Sequence, residues 1–251
     1  MIDKLKHIIS SVPGISLQEL GAVDFDSRID TKFVFHKDKL PEFLSRIKND
    51  LQVLDVNGDR LFQYENLYCD SHDFEFFKRH HSGFGNRSKV RVRKYSDKGP
   101  FFFEVKKKTN KGKTVKHRIP IESFNKFENP DTENSLVDNT GFSFETLSKR
   151  TGIDYKRMTF SNLAFSEKLT VDFDLVAKNK TDKFKFENLV IVEVKQIKYS
   201  SRSPFIAQLK KLKIYKTSFS KYCASVAVLN SDLKQNRFLP IIKNINKIAR
   251  A

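Results

Sequence analysis

The sequence predicts an α+β fold in which a long meander of antiparallel strands is flanked by helices. Two observations carry that prediction. In the middle of the 251-residue chain the apolar spacing changes from the roughly 3.6-residue period of a helix to the two-residue alternation of a strand. Turn-forming clusters at Ser96-Asp97-Lys98-Gly99-Pro100 and Asn110-Lys111-Gly112-Lys113 punctuate the alternating runs, as hairpins require.

The helices lie toward the two ends. Ile2, Leu5, Ile8 and Ile9 recur at helical spacing within residues 1–11, and Val12-Pro13-Gly14 stops them. Asp38 is placed to cap a second helix reaching about Leu51, with Pro41 in its first turn and Phe43, Leu44, Ile47 and Leu51 on one face. A third pattern runs from about Ser203 to Ser218, and a fourth follows Pro240. Strand alternation is read at 28–35, 89–93, 101–108, 114–121, 155–160, 168–174 and 189–197.

Nothing divides the chain. It has no fixed-period repeat, no low-complexity tract and no long Pro/Ser/Gly linker, so one domain spanning 1–251 is expected. An apolar content of 39% with 24 Phe is enough for a sizeable core. No apolar run approaches the roughly 18–20 residues that cross a bilayer, and the charged N-terminal stretch is unlike a signal peptide. Cys69 and Cys223 fit no metal-ligand spacing and are expected as reduced, buried thiols in a cytoplasmic protein.

Charge narrows the function. The 47 Lys and Arg exceed the 30 Asp and Glu by 17, which points to a polyanionic partner without choosing among nucleic acid, anionic membrane and phosphate compounds. Arrangement chooses. Collecting one parity across the strands gives Arg28, Asp30, Lys32, Lys89, Arg91, Arg93, Glu104, Lys106, Lys108, Lys116, Arg118, Arg157, Lys168, Asp172, Asp174, Glu193 and Lys195, joined by Lys221. That face holds thirteen positive and five negative groups. A solvated sheet face ordinarily mixes signs, because like charges opposed on paired strands repel by roughly 0.2–1 kcal/mol. A barrel with this parity inward would focus its field on an anion. Basic residues spread across many strands, with no recognition helix, zinc finger or RNP signature, do not suit nucleic acid.

The run Asn86-Arg87-Ser88-Lys89-Val90-Arg91-Val92-Arg93-Lys94-Tyr95, then Phe103-Glu104-Val105-Lys106 and Asn110 through Arg118, closely resembles bacterial VTC domains. Tyr64 to Asp70 and Phe219-Ser220-Lys221-Tyr222-Cys223 add to the resemblance, which covers about residues 25–235 in order. It implies a polyphosphate polymerase of the triphosphate tunnel superfamily, related to CYTH proteins: an eight-stranded antiparallel barrel with flanking helices, a divalent metal on a glutamate, and transfer of the ATP γ-phosphoryl group to polyphosphate.

Position by position, Lys32 matches the lysine of the first tunnel strand, Arg91 and Arg93 the R-x-R pair, and Lys106, Lys116 and Arg157 later phosphate-binding positions. Arg118 lies within the matched run. Glu193 matches the metal-binding glutamate and Lys221 the lysine of the S-K-Y segment. Lys168 stands where the family's pattern leads one to expect an arginine, which keeps the charge but loses the bidentate fork.

These roles suit the residue types. Arginines two apart on one face can grip successive phosphates, and lysines neutralise the chain as point charges. Arg91, Arg93, Lys106, Lys116 and Glu193 are therefore the expected catalytic group. Lys32, Arg118, Arg157, Lys168 and Lys221 complete the phosphate and nucleotide contacts. Mn²⁺ or Mg²⁺ is the expected cofactor, with Glu193 its ligand and Asp172, Asp174 and Glu104 lesser candidates. ATP and polyphosphate are the expected partners, and a membrane protein could receive the product. Hydrolysis of tripolyphosphate or nucleoside triphosphates, and sensing without turnover, remain alternatives. His80 and His81 read as surface or packing residues of a loop, Phe101 to Phe103 as packing, Lys210, Lys211 and Lys213 as a solvated edge, and Asp30 and Glu104 as partners of neighbouring cations.

Overall fold

The computed structural model describes residues 2–21, 28–96, 99–162, 164 and 166–251. In chain order the elements are α1 (Ile2–Ser10), β1 (Gly14–Ile15), α2 (Leu17–Gly21), β2 (Ile29–His36), α3 (Leu40–Ile47), β3 (Gln52–Leu54), β4 (Phe62–Ser71), α4 (Glu75–Ser82), β5 (Arg87–Tyr95), β6 (Phe101–Lys108) and β7 (Thr114–Ile121). There follow α5 (Pro130–Thr140), β8 (Leu147–Asn162), β9 (Glu167–Lys178), β10 (Lys183–Lys185), β11 (Leu189–Gln196), α6 (Pro204–Lys211), α7 (Lys221–Leu229) and α8 (Leu239–Ala249).

Eight strands form one continuous antiparallel path, β2-β11-β9-β8-β4-β5-β6-β7, with β1, β3 and β10 attached at its side. The expected strand number holds, but closure into a barrel does not. Among the described residues β2 and β7 do not pair. The free edge of β2 is instead occupied by the segment after α6, where Lys216 bridges Phe33 and the Thr217 amide donates to the Lys32 carbonyl at 2.8 Å. The margins still approach each other, since Asp30 of β2 acts electrostatically on Lys106 of β6.

Two apolar layers cover the outer face. Phe33, Phe35, Val192, Val194, Leu169, Val171, Met158 and Phe160 pack under α1, α3 and α6. Val90, Val92, Phe103 and Val105 pack with Phe127 and with Leu136 of α5. The inner face is divided. Toward one end it carries the charged parity, and toward the other Ile153, Tyr155, Ala177 and Ile191 pack against α7 and α8.

Several local expectations change. Asp38 lies in a 3₁₀ turn at Lys37–Lys39, its backbone amide donating to His36 Nδ1, while Lys39 occupies the N-cap of α3. The third helix ends at Lys211 because Lys213 turns left-handed and the chain runs out to edge β2. His80 and His81 stand on α4 rather than in a loop. The 110–113 turn forms, with Gly112 at φ 76 and its amide on the Thr109 carbonyl. The other expected turn includes Asp97 and Lys98, which lie outside the described residues. Both cysteines are free and buried.

Candidate phosphate-binding site

Strand register, not chain proximity, assembles the inner face. Tyr68, Arg91, Glu104 and Arg118 follow one another across β4, β5, β6 and β7. Arg157, Asp172 and Ile191 do so across β8, β9 and β11, and Thr159, Thr170, Glu193 and Lys32 across β8, β9, β11 and β2.

Four carboxylates on this face are held by cations, Asp30 among them through Arg28 at 2.9 Å and Lys195 at 3.9 Å. Glu104, 1% exposed, accepts from Arg91 Nε at 2.7 Å, Lys116 Nζ at 2.7 Å and Arg118 Nε at 3.0 Å. Burial opposes its ionisation, but Arg91, Arg93 and Lys116 outweigh burial and hold the carboxyl well below the usual range. Asp172 takes Arg157 through two bonds of 2.5 and 2.7 Å and also accepts from Lys221. Burial again opposes the charge, and Arg157 with Lys221 overcomes it. Glu193 pairs with Lys195 on its own strand and with Lys32 at 3.4 Å.

Tyrosines and an amide orient the arginines. Arg91 Nη1 donates to the Tyr68 hydroxyl at 2.9 Å. Arg93, 6% exposed, donates from Nε to Asn66 Oδ1 at 2.7 Å and from Nη2 to the Tyr155 hydroxyl at 3.2 Å. Arg157 lies over the Tyr64 ring at 4.9 Å, and Arg118 over the Phe102 ring at 4.3 Å. Tyr64, Asn66 and Tyr68 alternate on β4, so their shared parity was readable. Their residue types carried no charge signal.

Not every cation is neutralised. Lys89 and Lys106 are direct cross-strand partners, and Lys106 is in turn opposite Lys116. Lys89 donates to Ser220 Oγ, the N-cap of α7, at 2.8 Å. Lys106 is exposed to solvent on the inner face, yet the surrounding protein desolvates its amine. That desolvation lowers it to about 8, Asp30 opposes the shift, and Lys89, Lys32 and Arg91 add to it.

The structure therefore gathers Lys32, Arg91, Arg93, Lys106, Lys116, Arg118, Arg157, Glu193 and Lys221 on one face. Lys168 is on the same face at its rim, opposite Lys195, where desolvation and Arg28 lower it. Asp174 leaves the set. The β8–β9 register shifts between Asp154 and Lys156, Asp174 adopts φ 54, and its carboxylate meets Lys156 at 2.9 Å away from the inner cluster. Asp172 and Glu104 are each held by cations, as Glu193 is, but no unpartnered hydroxyl is their register partner.

Among the described residues, Thr170 beside Glu193 offers a seat for a divalent ion. The Thr170 hydroxyl, on a residue 5% exposed, has no hydrogen-bond partner and is the register partner of Glu193. An orphaned oxygen beside a carboxylate fits a hard cation that takes its remaining ligands from phosphate and water. Among the described residues no cluster of three His, Cys, Asp or Glu forms a complete protein cage.

The VTC domain family matches residues 27–230 of the chain. A Bacillus halodurans protein described as a candidate adenylate cyclase is similar in structure, with a TM-score of 0.52 and 15% identity over 77% of this chain and 95% of its own. A Hippeastrum candidate adenylyl cyclase, described as revealing a dominant triphosphatase activity, gives a TM-score of 0.51 and 14% identity over 82% and 97%. These likenesses show a shared fold. No curated protein matches the chain in sequence.

Proposed function

The chain belongs to the VTC domain family, and from that premise we propose that it is a metal-dependent polyphosphate polymerase using ATP. The observation that carries the reading is the opposed pair Lys89 and Lys106, set beside Arg91 and Lys116 on the inner face. Neither Lys89 nor Lys106 has an ion-pair partner among the described residues. Opposed like charges are stabilised by an anion between them, and a linear phosphate chain has the charge density to do so.

In the proposed reaction, a terminal oxygen of the acceptor chain forms a bond to the γ-phosphorus. The bond from that phosphorus to the β–γ bridging oxygen breaks, and ADP leaves. Such transfer asks the protein chiefly for in-line positioning and charge stabilisation. Arg91 and Arg93, oriented by Tyr68, Asn66 and Tyr155, present donors to phosphate oxygens, while Lys32, Lys106, Lys116 and Lys221 supply point charges. Arg118, Arg157 and Lys168 extend that field. Glu193 would hold Mg²⁺ or Mn²⁺, with Thr170 adjoining. Such an ion supplies further neutralisation of phosphate oxygens.

Transfer is favoured over hydrolysis by the state of the acids. Asp30, Glu104, Asp172 and Glu193 are all engaged by cations, which leaves none of these four as a ready base for water. A cytoplasmic location belongs to the same proposal. No described helix is long and apolar enough to cross a membrane.

The test is incubation of purified protein with ATP and manganese, with polyphosphate, ADP and free phosphate assayed separately. Polymer with matching ADP is expected. Free phosphate without polymer would make the chain a triphosphatase, and neither product would make it a binding protein.

A further inference from the structure

Beyond Lys89 and Lys106 the cationic row continues along β5 and β6, where β5 packs against α4. Arg87 and Lys108 are the next register pair on the same face, again with like charges opposed. Arg87 Nη1 donates to the Phe84 carbonyl at 2.6 Å, and Arg237, on the 3₁₀ turn Asn236–Phe238, packs against the adjacent Gly83 from the far end of the chain. Arg237 Nη1 donates to the His81 carbonyl at 3.1 Å and occupies space that a Cβ on Gly83 would invade, at 2.3 Å. Gly83 also has φ +78, so glycine serves both the turn and the seating of the guanidinium.

His80 lies among these groups. Burial and then Lys89, Arg87, Lys108 and Arg237 lower it to about 2, so its ring is neutral and offers one N–H donor without adding charge. No carboxylate among the described residues pairs with Arg87, Lys108 or Arg237. From Arg93 to Arg87 the inner-facing cations of β5 span about 20 Å, which exceeds three linked phosphates.

We propose that Arg87, Lys108 and Arg237 form an outer phosphate subsite beside His80, holding the remote phosphates of a linear polyphosphate whose reacting end lies near Arg91 and Lys116. The subsite rests on the tunnel reading above and deepens it, by giving the polymer its own contacts beyond those a nucleotide can reach. Arg237 lies outside residues 27–230, the segment that matches the family.

The experiment compares tripolyphosphate with long-chain polyphosphate by titration calorimetry, on the full chain and on Lys108→Gln, Arg237→Gln and the double variant. The unaltered protein is expected to bind the long chain at least tenfold more tightly per chain. The double variant is expected to lose most of that gain while its tripolyphosphate affinity changes less than about twofold, since a tenfold change is roughly 1.4 kcal/mol and each cation contributes part of it. Lys108→Gln removes no side-chain hydrogen bond and should lower the gain even if Arg237→Gln does not fold. A length gain that survives in Lys108→Gln, or its absence in the unaltered protein, overturns the subsite. Failure of the unaltered protein to bind tripolyphosphate overturns the tunnel reading and the subsite together.

Discussion

Both carboxylate oxygens of Asp172 accept from Arg157, one from Nε and one from Nη2, and the same carboxylate accepts from Lys221 at the first residue of α7. The pair thus ties the β8–β9 ladder to the helix that covers the apolar end of the inner face. Asp172→Asn would leave two desolvated cations without their counter-charge. Its expected cost is about 3 kcal/mol of unfolding free energy, read by urea denaturation. A loss under about 1 kcal/mol would mean that the cluster is not held by charge.

Lys106 gives the site a pH limit. Its proton leaves the folded chain at about 8, against a value of 10.5 when unperturbed. Between those values the unfolded chain binds the extra proton, so this residue makes stability rise with pH across that window. Phosphate affinity runs the other way, because the anion needs the protonated amine. Tripolyphosphate binding is expected to weaken above about pH 8 and to take up protons there. In Lys106→Gln that alkaline limb should vanish. An unchanged limb would assign the titration to another group.

Glu193 separates metal chemistry from anion binding. Its carboxylate already has ammonium partners in Lys195 and Lys32, so Glu193→Gln frees two cations toward the phosphates. Metal-free tripolyphosphate affinity should hold or rise, whereas manganese-dependent turnover should fall at least a hundredfold, the scale of losing one charge-stabilising group. Thr170→Val should leave stability the same or higher, because its hydroxyl is unpartnered, yet weaken manganese dependence. Normal metal dependence in both variants would remove the ion from this corner.

The two-residue alternation made most of this face readable, since one parity selects Lys32, Arg91, Lys106, Lys116, Arg157 and Glu193 without any knowledge of pairing. Where a bulge interrupts the ladder the rule fails, and Asp174 turns away. Closure was beyond the pattern for a different reason. Lys216 and Thr217 look like a continuing helix in sequence, but they satisfy the edge of β2. Helix α7 was hidden because residues 222–227 are all buried, leaving no amphipathic stripe to detect. Arg237 gave no signal, as its place beside His80 depends on the fold of Gly83.

The most direct measurement is a crystal structure of the protein with tripolyphosphate and manganese. The account expects the phosphate oxygens to lie against Arg91, Arg93, Lys106 and Lys116, with the metal touching Glu193 and at least two phosphates. Phosphates found only on the outer helices, at Lys210 and Lys211 of α6, would contradict it.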